Sequence, residues 1–210
     1  MTLAKNGRLA LLACALIFLS TLSVLLARRL NLGPMGPVPG WRVYGPENAA
    51  IQIYEFTDFA CPACRGASET LAETMRVYGG GIRLHFKHYP LTHMHPWSMD
   101  AAAYSDCAGE QGKFAQYAEL LFSSQKKWGE AKERPNEFET LALQLKLDWP
   151  KMQACAGSPE ALKRVKLDMA EGGLKGVNAT PTFFINGKRC VGSGQLLDQV
   201  RNFDNLLRKK

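Results

Sequence analysis

The feature that most constrains the fold is the junction around Cys61-Pro62-Ala63-Cys64. Just before it, Ile51 to Phe56 ("IQIYEF") alternates apolar and polar residues, as a strand does. Just after it, Ala67, Leu71, Met75 and Tyr78 recur at helical spacing, with Arg65, Glu69, Glu73 and Arg76 on the other face. Pro62 suits the first helical position, where its missing N–H costs nothing and its fixed φ fits the turn. Cys61 then falls at the helix N-terminus and Cys64 one turn deeper. Gly79 to Gly81 is expected to end the helix through residues that tolerate positive φ, and Ile82 to His88 ("IRLHFKH") alternates again. The stretch reads as a β-α-β unit whose crossover is long enough for parallel pairing.

Two residues between cysteines on a first helical turn bring the thiols together at little strain. Orphan N–H groups and the positive end of the helix dipole favour a Cys61 thiolate, lowering its pKa below the free value of about 8.5. Cys64, shielded, takes the role of resolving thiol. A zinc site needs further ligands, and although His88 and His93 have H-x4-H spacing, 23 residues separate Cys64 from His88 and no second CxxC exists. A purely structural bridge this short would restrict the unfolded chain little. His85, His88, His93, His95, Met94 and Met99 keep copper handling as an alternative of another class, but the odd spacing of His85 and His88 sends them to opposite strand faces. The pair therefore reads as a redox switch, with no metal and no cofactor assigned.

The middle of the chain reads as helical over 96–110, 113–124, 137–145 and 159–172, with a short turn after Pro150. Two β-rich runs follow, "TPTFFING" and "KRCVGS", divided by Asn186-Gly187, a strong hairpin signal. Gln195 to Leu207 is expected as one amphipathic helix carrying Leu196, Val200, Phe203 and Leu207.

Ahead of all this, Leu9 to Ala27 is 19 residues without a charge, near the length of a transmembrane helix. Lys5, Arg8 and Thr21-Leu22-Ser23 leave a cleaved signal peptide as the alternative, and Cys14 reads as membrane-facing. Either way the body of the protein enters the export route, where thiols can be oxidised. Asn31 to Gly40 is a Pro/Gly-rich linker. The organisation is thus a short tail at 1–8, an anchor or signal at 9–27, a linker at 28–46 and one domain at 47–210. Its helical insertion spans about 96–173. The net charge of +7 gives nucleic-acid binding little support, because removing Lys5, Arg8, Arg28 and Arg29 leaves 22 basic against 19 acidic residues.

"YEFTDFACPAC", "FKHYPL", "HPWSMDAAAYSDCAGEQGKF" and "GVNATPTFFINGK" together resemble the DsbA-like thiol-disulfide oxidoreductases, over about Glu47 to Leu207. The resemblance implies a four- or five-stranded thioredoxin-like α/β sheet interrupted by a helical domain, with a cis Thr180-Pro181 bond facing the cysteines. It implies cysteine-containing exported proteins as substrates, held as an extended strand along Thr180, and a membrane redox partner that regenerates the disulfide. Glu55 matches an acid of the family pattern and is expected under the helix, relaying the Cys64 proton; the alternative is a solvated Glu. Cys107 and Cys155 match cysteines of membrane-anchored and shorter relatives and are expected to pair. By loop entropy that bond is worth about 4 kcal/mol. Two buried free thiols, or pairing of either with Cys190, remain open. The strongly oxidising members carry Pro-His between the cysteines, whereas here Pro62-Ala63 lends no imidazole, implying a weaker oxidant and leaving reductase or isomerase action as the alternative direction. The 28–46 segment is too short for the dimerisation module of such isomerases.

Overall fold

The computed structural model describes residues 12–21 and 35–208. The chain divides into two units, 1–35 and 36–210. In the first, residues 12–21 form helix α1, on which Leu12, Leu16, Ile17, Phe18 and Leu19 are exposed. The hydroxyls of Ser20 and Thr21 donate to the carbonyls of Ile17 (2.8 Å) and Phe18 (2.9 Å), one turn back on the same helix. Among the described residues no helix is long and apolar enough to cross a membrane. The flanks of the expected span, 9–11 and 22–27, lie outside the described residues, as do the 1–8 tail and linker residues 28–34.

The second unit is built on a sheet of β1 (Val43–Tyr44), β2 (Ile51–Thr57), β3 (Ile82–His88), β4 (Thr182–Ile185) and β5 (Lys188–Val191), in the order β1-β3-β2-β4-β5. β2 and β3 pair in parallel from Ile51↔Ile82 to Thr57↔His88, joined by α2 (Pro62–Tyr78). β4 runs antiparallel to β2 and turns into β5 through Asn186 (φ 47°) and Gly187 (φ 81°), the left-handed pair a two-residue hairpin requires. Between β3 and β4 lie α3 (Ser98–Glu110), α4 (Phe114–Ser123), α5 (Gln125–Trp128), α6 (Glu137–Gln144), α7 (Trp149–Ala156) and α8 (Pro159–Leu174); α9 (Gly192–Val200) and α10 (Phe203–Leu207) close the chain. The fold is thioredoxin-like with helices inserted before the hairpin.

Two apolar clusters hold it together. Ile51, Ile53, Ala67, Leu71, Ile82, Phe183, Leu196 and Phe203 join the sheet to α2, α9 and α10. The other fills the inserted helices with Tyr104, Phe114, Tyr117, Leu121, Trp128 and Phe138, and reaches Phe59, Cys61 and Cys64. A disulfide ties Cys107 of α3 to Cys155 of α7, so neither is a free thiol, while Cys190 is free and buried. α8 lies tight against the sheet at Gly172, where a Cβ would come within 2.6 Å of the Tyr89 ring.

Three local expectations differ. α2 does end at Gly79–Gly81, but without using positive φ: the glycines continue as a 3₁₀ turn with Gly79 at φ −54°, and at Gly81 the missing side chain makes room for Leu207. The stripe Leu196, Val200, Phe203, Leu207 is carried by two helices, since Arg201–Asn202 forms a tight turn in which Asn202 Nδ2 donates to the Asp198 carbonyl at 3.2 Å. The segment at Pro150 is an eight-residue helix, capped by Asp148 accepting from the Lys151 N–H at 3.0 Å.

Candidate active site

The end of β2 delivers the chain to a buried turn, Asp58–Cys61, and Cys61 caps α2 with Pro62 in its first turn. Asp58 organises the turn. Its Oδ1 accepts from the Ala60 N–H at 2.8 Å, and its Oδ2 from the Leu91 N–H and His95 Nδ1, both at 2.8 Å. Gln125 of α5 clamps the other side, its Nε2 donating to the carbonyls of Phe59 (2.6 Å) and Cys61 (3.0 Å). These two grips fix the backbone from which the cysteines project.

Both cysteines are free thiols here, Cys61 9% exposed and Cys64 fully buried. The loop before β4 approaches Cys61 from the opposite side: the Thr180–Pro181 bond is cis, and the Thr180 carbonyl stands 3.5 Å from Cys61 Sγ. The environment splits the pair electrically. A hydrogen bond from the Cys64 thiol, outweighing burial and joined by Thr180 and the N–H groups of Cys64 and Ala63, lowers Cys61 to about 5. Burial, then the thiolate next to it, pushes Cys64 up. The Asp58 N–H donates to Cys64 Sγ at 3.4 Å.

Glu55 lies on β2, opposite Phe86 and Phe183. It is 2% exposed, and burial pushes its carboxyl up to about 8. It makes no direct contact with either sulfur among the hydrogen bonds described. Thr57 follows two residues along β2, and its hydroxyl is near enough to favour the ionised form of both Glu55 and Cys64 without closing a hydrogen bond to either. Glu55 Oε1, Thr57 Oγ1 and Thr180 Oγ1 are all buried without a hydrogen-bond partner. The structure thus gathers Cys61, Cys64, Thr180 and Pro181, with Glu55 behind them. Residues the sequence reading did not assign to the site are Thr57 and Gln125, and it did not pair His95 with Asp58. Asp58 has a local signal as a turn residue; Gln125, 61 positions beyond Cys64, has none.

The histidines do not converge. His85 stacks on Tyr54 with ring centroids 4.2 Å apart, and burial followed by the charges of Arg83 and Lys87 lowers it to about 4. His88 is buried beside Asp106, whose Oδ1 lies 3.3 Å from its Nε2, and burial lowers its pKa. Among the described residues no group of three or more His, Cys, Asp or Glu side chains is arranged to hold a metal ion. The tryptophans serve packing: Trp128 is fully buried, Trp97 Nε1 donates to the Ala131 carbonyl at 2.8 Å, and Trp149 stacks on Tyr104.

A family model described as thioredoxin matches residues 38–203. Among curated proteins, the Na(+)/H(+) antiporter NhaA 1 of Salinispora arenicola is 34% identical over 151 residues, 72% of this chain and 22% of that protein. The chain thus spans about a fifth of the length of the curated relatives it matches, and the antiporter name is said of those proteins. Among solved structures, alpha-DsbA1 of Wolbachia pipientis superposes with a TM-score of 0.72 at 21% identity, covering 82% of this chain and 94% of that one. DsbA2 of Pseudomonas aeruginosa gives a TM-score of 0.66 at 23% identity, covering 80% and 96%. These likenesses establish a common fold.

Proposed function

The chain belongs to the thioredoxin family, and from that premise we propose that it is a protein thiol-disulfide oxidoreductase, donating disulfides to cysteine-containing exported proteins through Cys61. The observation that carries this reading is the unequal pair. Cys61 reaches solvent and is held near a pKa of 5, whereas Cys64 is sealed behind it with its pKa driven up. A sulfur whose thiolate is that well stabilised is a good leaving group and a poor proton acceptor, which favours the reduced pair and makes its disulfide an oxidant.

In the forward reaction a substrate thiolate attacks Cys61 Sγ of the oxidised pair. The Cys61–Cys64 bond breaks, Cys64 leaves as a thiolate, and a proton from Glu55, passed by way of the Thr57 region, neutralises it. A second substrate thiolate attacks the substrate sulfur of the mixed disulfide, and Cys61 departs as a thiolate. The substrate has lost two electrons and the enzyme has gained them, so a membrane redox partner must take them away. No cofactor is needed, because electrons pass between sulfur atoms. The Thr180 carbonyl beside Cys61 suits a substrate strand laid against the loop. A groove of about 320 Å³ beside Pro62, lined by Arg65, Gln125, Lys126 and Glu130 among others, offers it further contacts.

We place the domain on the export side of a membrane, tethered through residues 9–27; cleavage after a signal would instead release it. The Cys107–Cys155 disulfide supports an oxidising compartment. Alkali extraction of membranes is expected to leave the chain in the pellet, and release into the supernatant would favour the cleaved form.

Ala63 between the cysteines is the observation that favours the opposite direction, reductase or isomerase. Alkylating free thiols in native membranes separates the two: a donor rests with Cys61 and Cys64 protected as a disulfide, a reductase with both exposed to the reagent. Oxidation of a reduced test protein that continued unchanged in Cys61→Ser would overturn the assigned nucleophile.

A further inference from the structure

A second cavity, about 380 Å³, opens between α2 and α4 on the Glu55 face of the sheet. Leu71 and Met75 of α2, Leu84 and Phe86 of β3, and Phe114 and Phe122 of α4 give it apolar walls. The Glu55 carboxyl forms part of its floor, with an oxygen that has no hydrogen-bond partner. Buried polar atoms are seldom left so, and each that is calls for an explanation. Every charged side chain lining the cavity is acidic: Glu55 below, Glu69 from α2 and Glu119 from α4 at the rim. Tyr44 of β1 also lines it and stays neutral, its hydroxyl pushed up to about 12 by burial and by Glu55. β3 contributes apolar residues alone.

We propose that this cavity is a binding site for an amine carried on an apolar body, the ammonium pairing with Glu55 and the body lying against α2, β3 and α4. The walls select the body and the acids select the charge. A neutral alcohol offers Glu55 a hydrogen bond without charge, and a carboxylate of the same length meets three acidic groups. In the empty cavity Glu55 keeps its proton up to about pH 8. Binding an ammonium therefore releases that proton to solvent, so affinity falls about tenfold for each pH unit below that value. Binding draws on the same Glu55 proton that the proposed exchange uses, so an occupied site would withhold it from Cys64, but binding is read without any assay of thiol exchange.

The test is calorimetric titration of the full-length protein in nanodiscs of zwitterionic lipid, with empty discs subtracted, against 4-phenylbutylamine, 4-phenylbutan-1-ol and 4-phenylbutyrate. At about pH 8.5 the amine is expected to bind at one equivalent, at least about tenfold tighter than the alcohol or the acid, and to weaken more than about tenfold at pH 6.5. Glu55→Gln should remove that preference. Ala115→Trp, at an exposed position of α4 on the cavity wall, should block the amine by filling the space without touching the carboxyl. An alcohol bound as tightly as the amine, amine binding that survives Ala115→Trp, or no binding at all would overturn the proposal.

Discussion

Two buried polar regions flank the C-terminal ends of β2 and β3, and they treat charge in opposite ways. Beyond β3, Arg42 pairs with Asp106 at 2.9 Å and with Asp168, Lys87 reaches Glu171 at 2.6 Å and Asp168 at 3.4 Å, and Arg164 meets Asp106 at 3.1 Å. Three cations face three carboxylates, and the His88 N–H of the backbone donates to Asp168 at 3.0 Å. Burial works to raise Asp106, yet His88 and Arg42 outweigh it and hold it at about 2. The ion cluster leaves two nitrogens, Arg42 Nε and His88 Nδ1, without a hydrogen bond, but its charges are balanced; around Cys64 no cation does so, Glu55, Thr57 and Thr180 keep buried oxygens without partners, and Cys61 is stabilised by neutral donors. Matched charges fix a shape. Unmatched groups leave protonation free to change, which is what the proposed thiol exchange would require.

The largest test of that division is to exchange the damage. Cys61→Ser is expected to reduce oxidation of a test protein by at least about a thousandfold, as loss of a nucleophile does, while leaving unfolding midpoints within a few degrees. Arg42→Met should do the reverse. It leaves two buried carboxylates each short of a cation, Asp106 with Arg164 and Asp168 with Lys87, and is expected to cost about 3–5 kcal/mol in denaturant unfolding while leaving the pH profile of Cys61 alkylation in place. A destabilised Arg42→Met that also shifted that profile would show the two regions to be one network.

Much of the site was readable because its signals are local. The alternation of Ile51–Phe56, the proline after Cys61 and the Asn186-Gly187 turn each act over a few residues, and each sits where those patterns predict. The approach of Thr180 to Cys61, across 119 positions, was expected through resemblance, since no periodicity connects them. The ion cluster was invisible for a physical reason. Lys87 alternates in its strand as a solvent-facing residue would, and only α8, 81 positions onward at Asp168, buries and neutralises it. Gln125 is hidden in the same way, as an ordinary helix residue until its amide meets the Cys61 carbonyl.

Glu55→Gln probes the unmatched side by pH. The folded carboxyl is raised to about 8 from 4.5, so the folded protein holds this proton more tightly than the unfolded chain, and stability falls as pH rises between those values. Between pH 6 and 8.5 that loss is about 2–3 kcal/mol, and the Gln side chain, which cannot ionise, should remove it. Chemical unfolding at the two pH values, compared between wild type and variant with the pair oxidised, reads the difference. Equal slopes would mean that Glu55 is ionised throughout and already matched.

The smallest effect separates charge from neutral donors at Cys61 itself. Its thiolate is held by the Cys64 thiol, the Thr180 side and two backbone N–H groups, all supplied without a formal cation, and its alkylation rate should titrate near pH 5. Ala63 is exposed, so an imidazole placed there is screened by water and adds to a thiolate already served by several donors. Ala63→His is therefore expected to lower the alkylation midpoint by less than one pH unit, about 1 kcal/mol or less, and to make the disulfide a slightly stronger oxidant, since the reduced pair gains that stabilisation. Thiolate absorbance against pH measures both proteins. A fall of two units or more would mean that the neutral donors leave Cys61 largely unserved, and the resting direction of exchange would then rest on the residue between the cysteines.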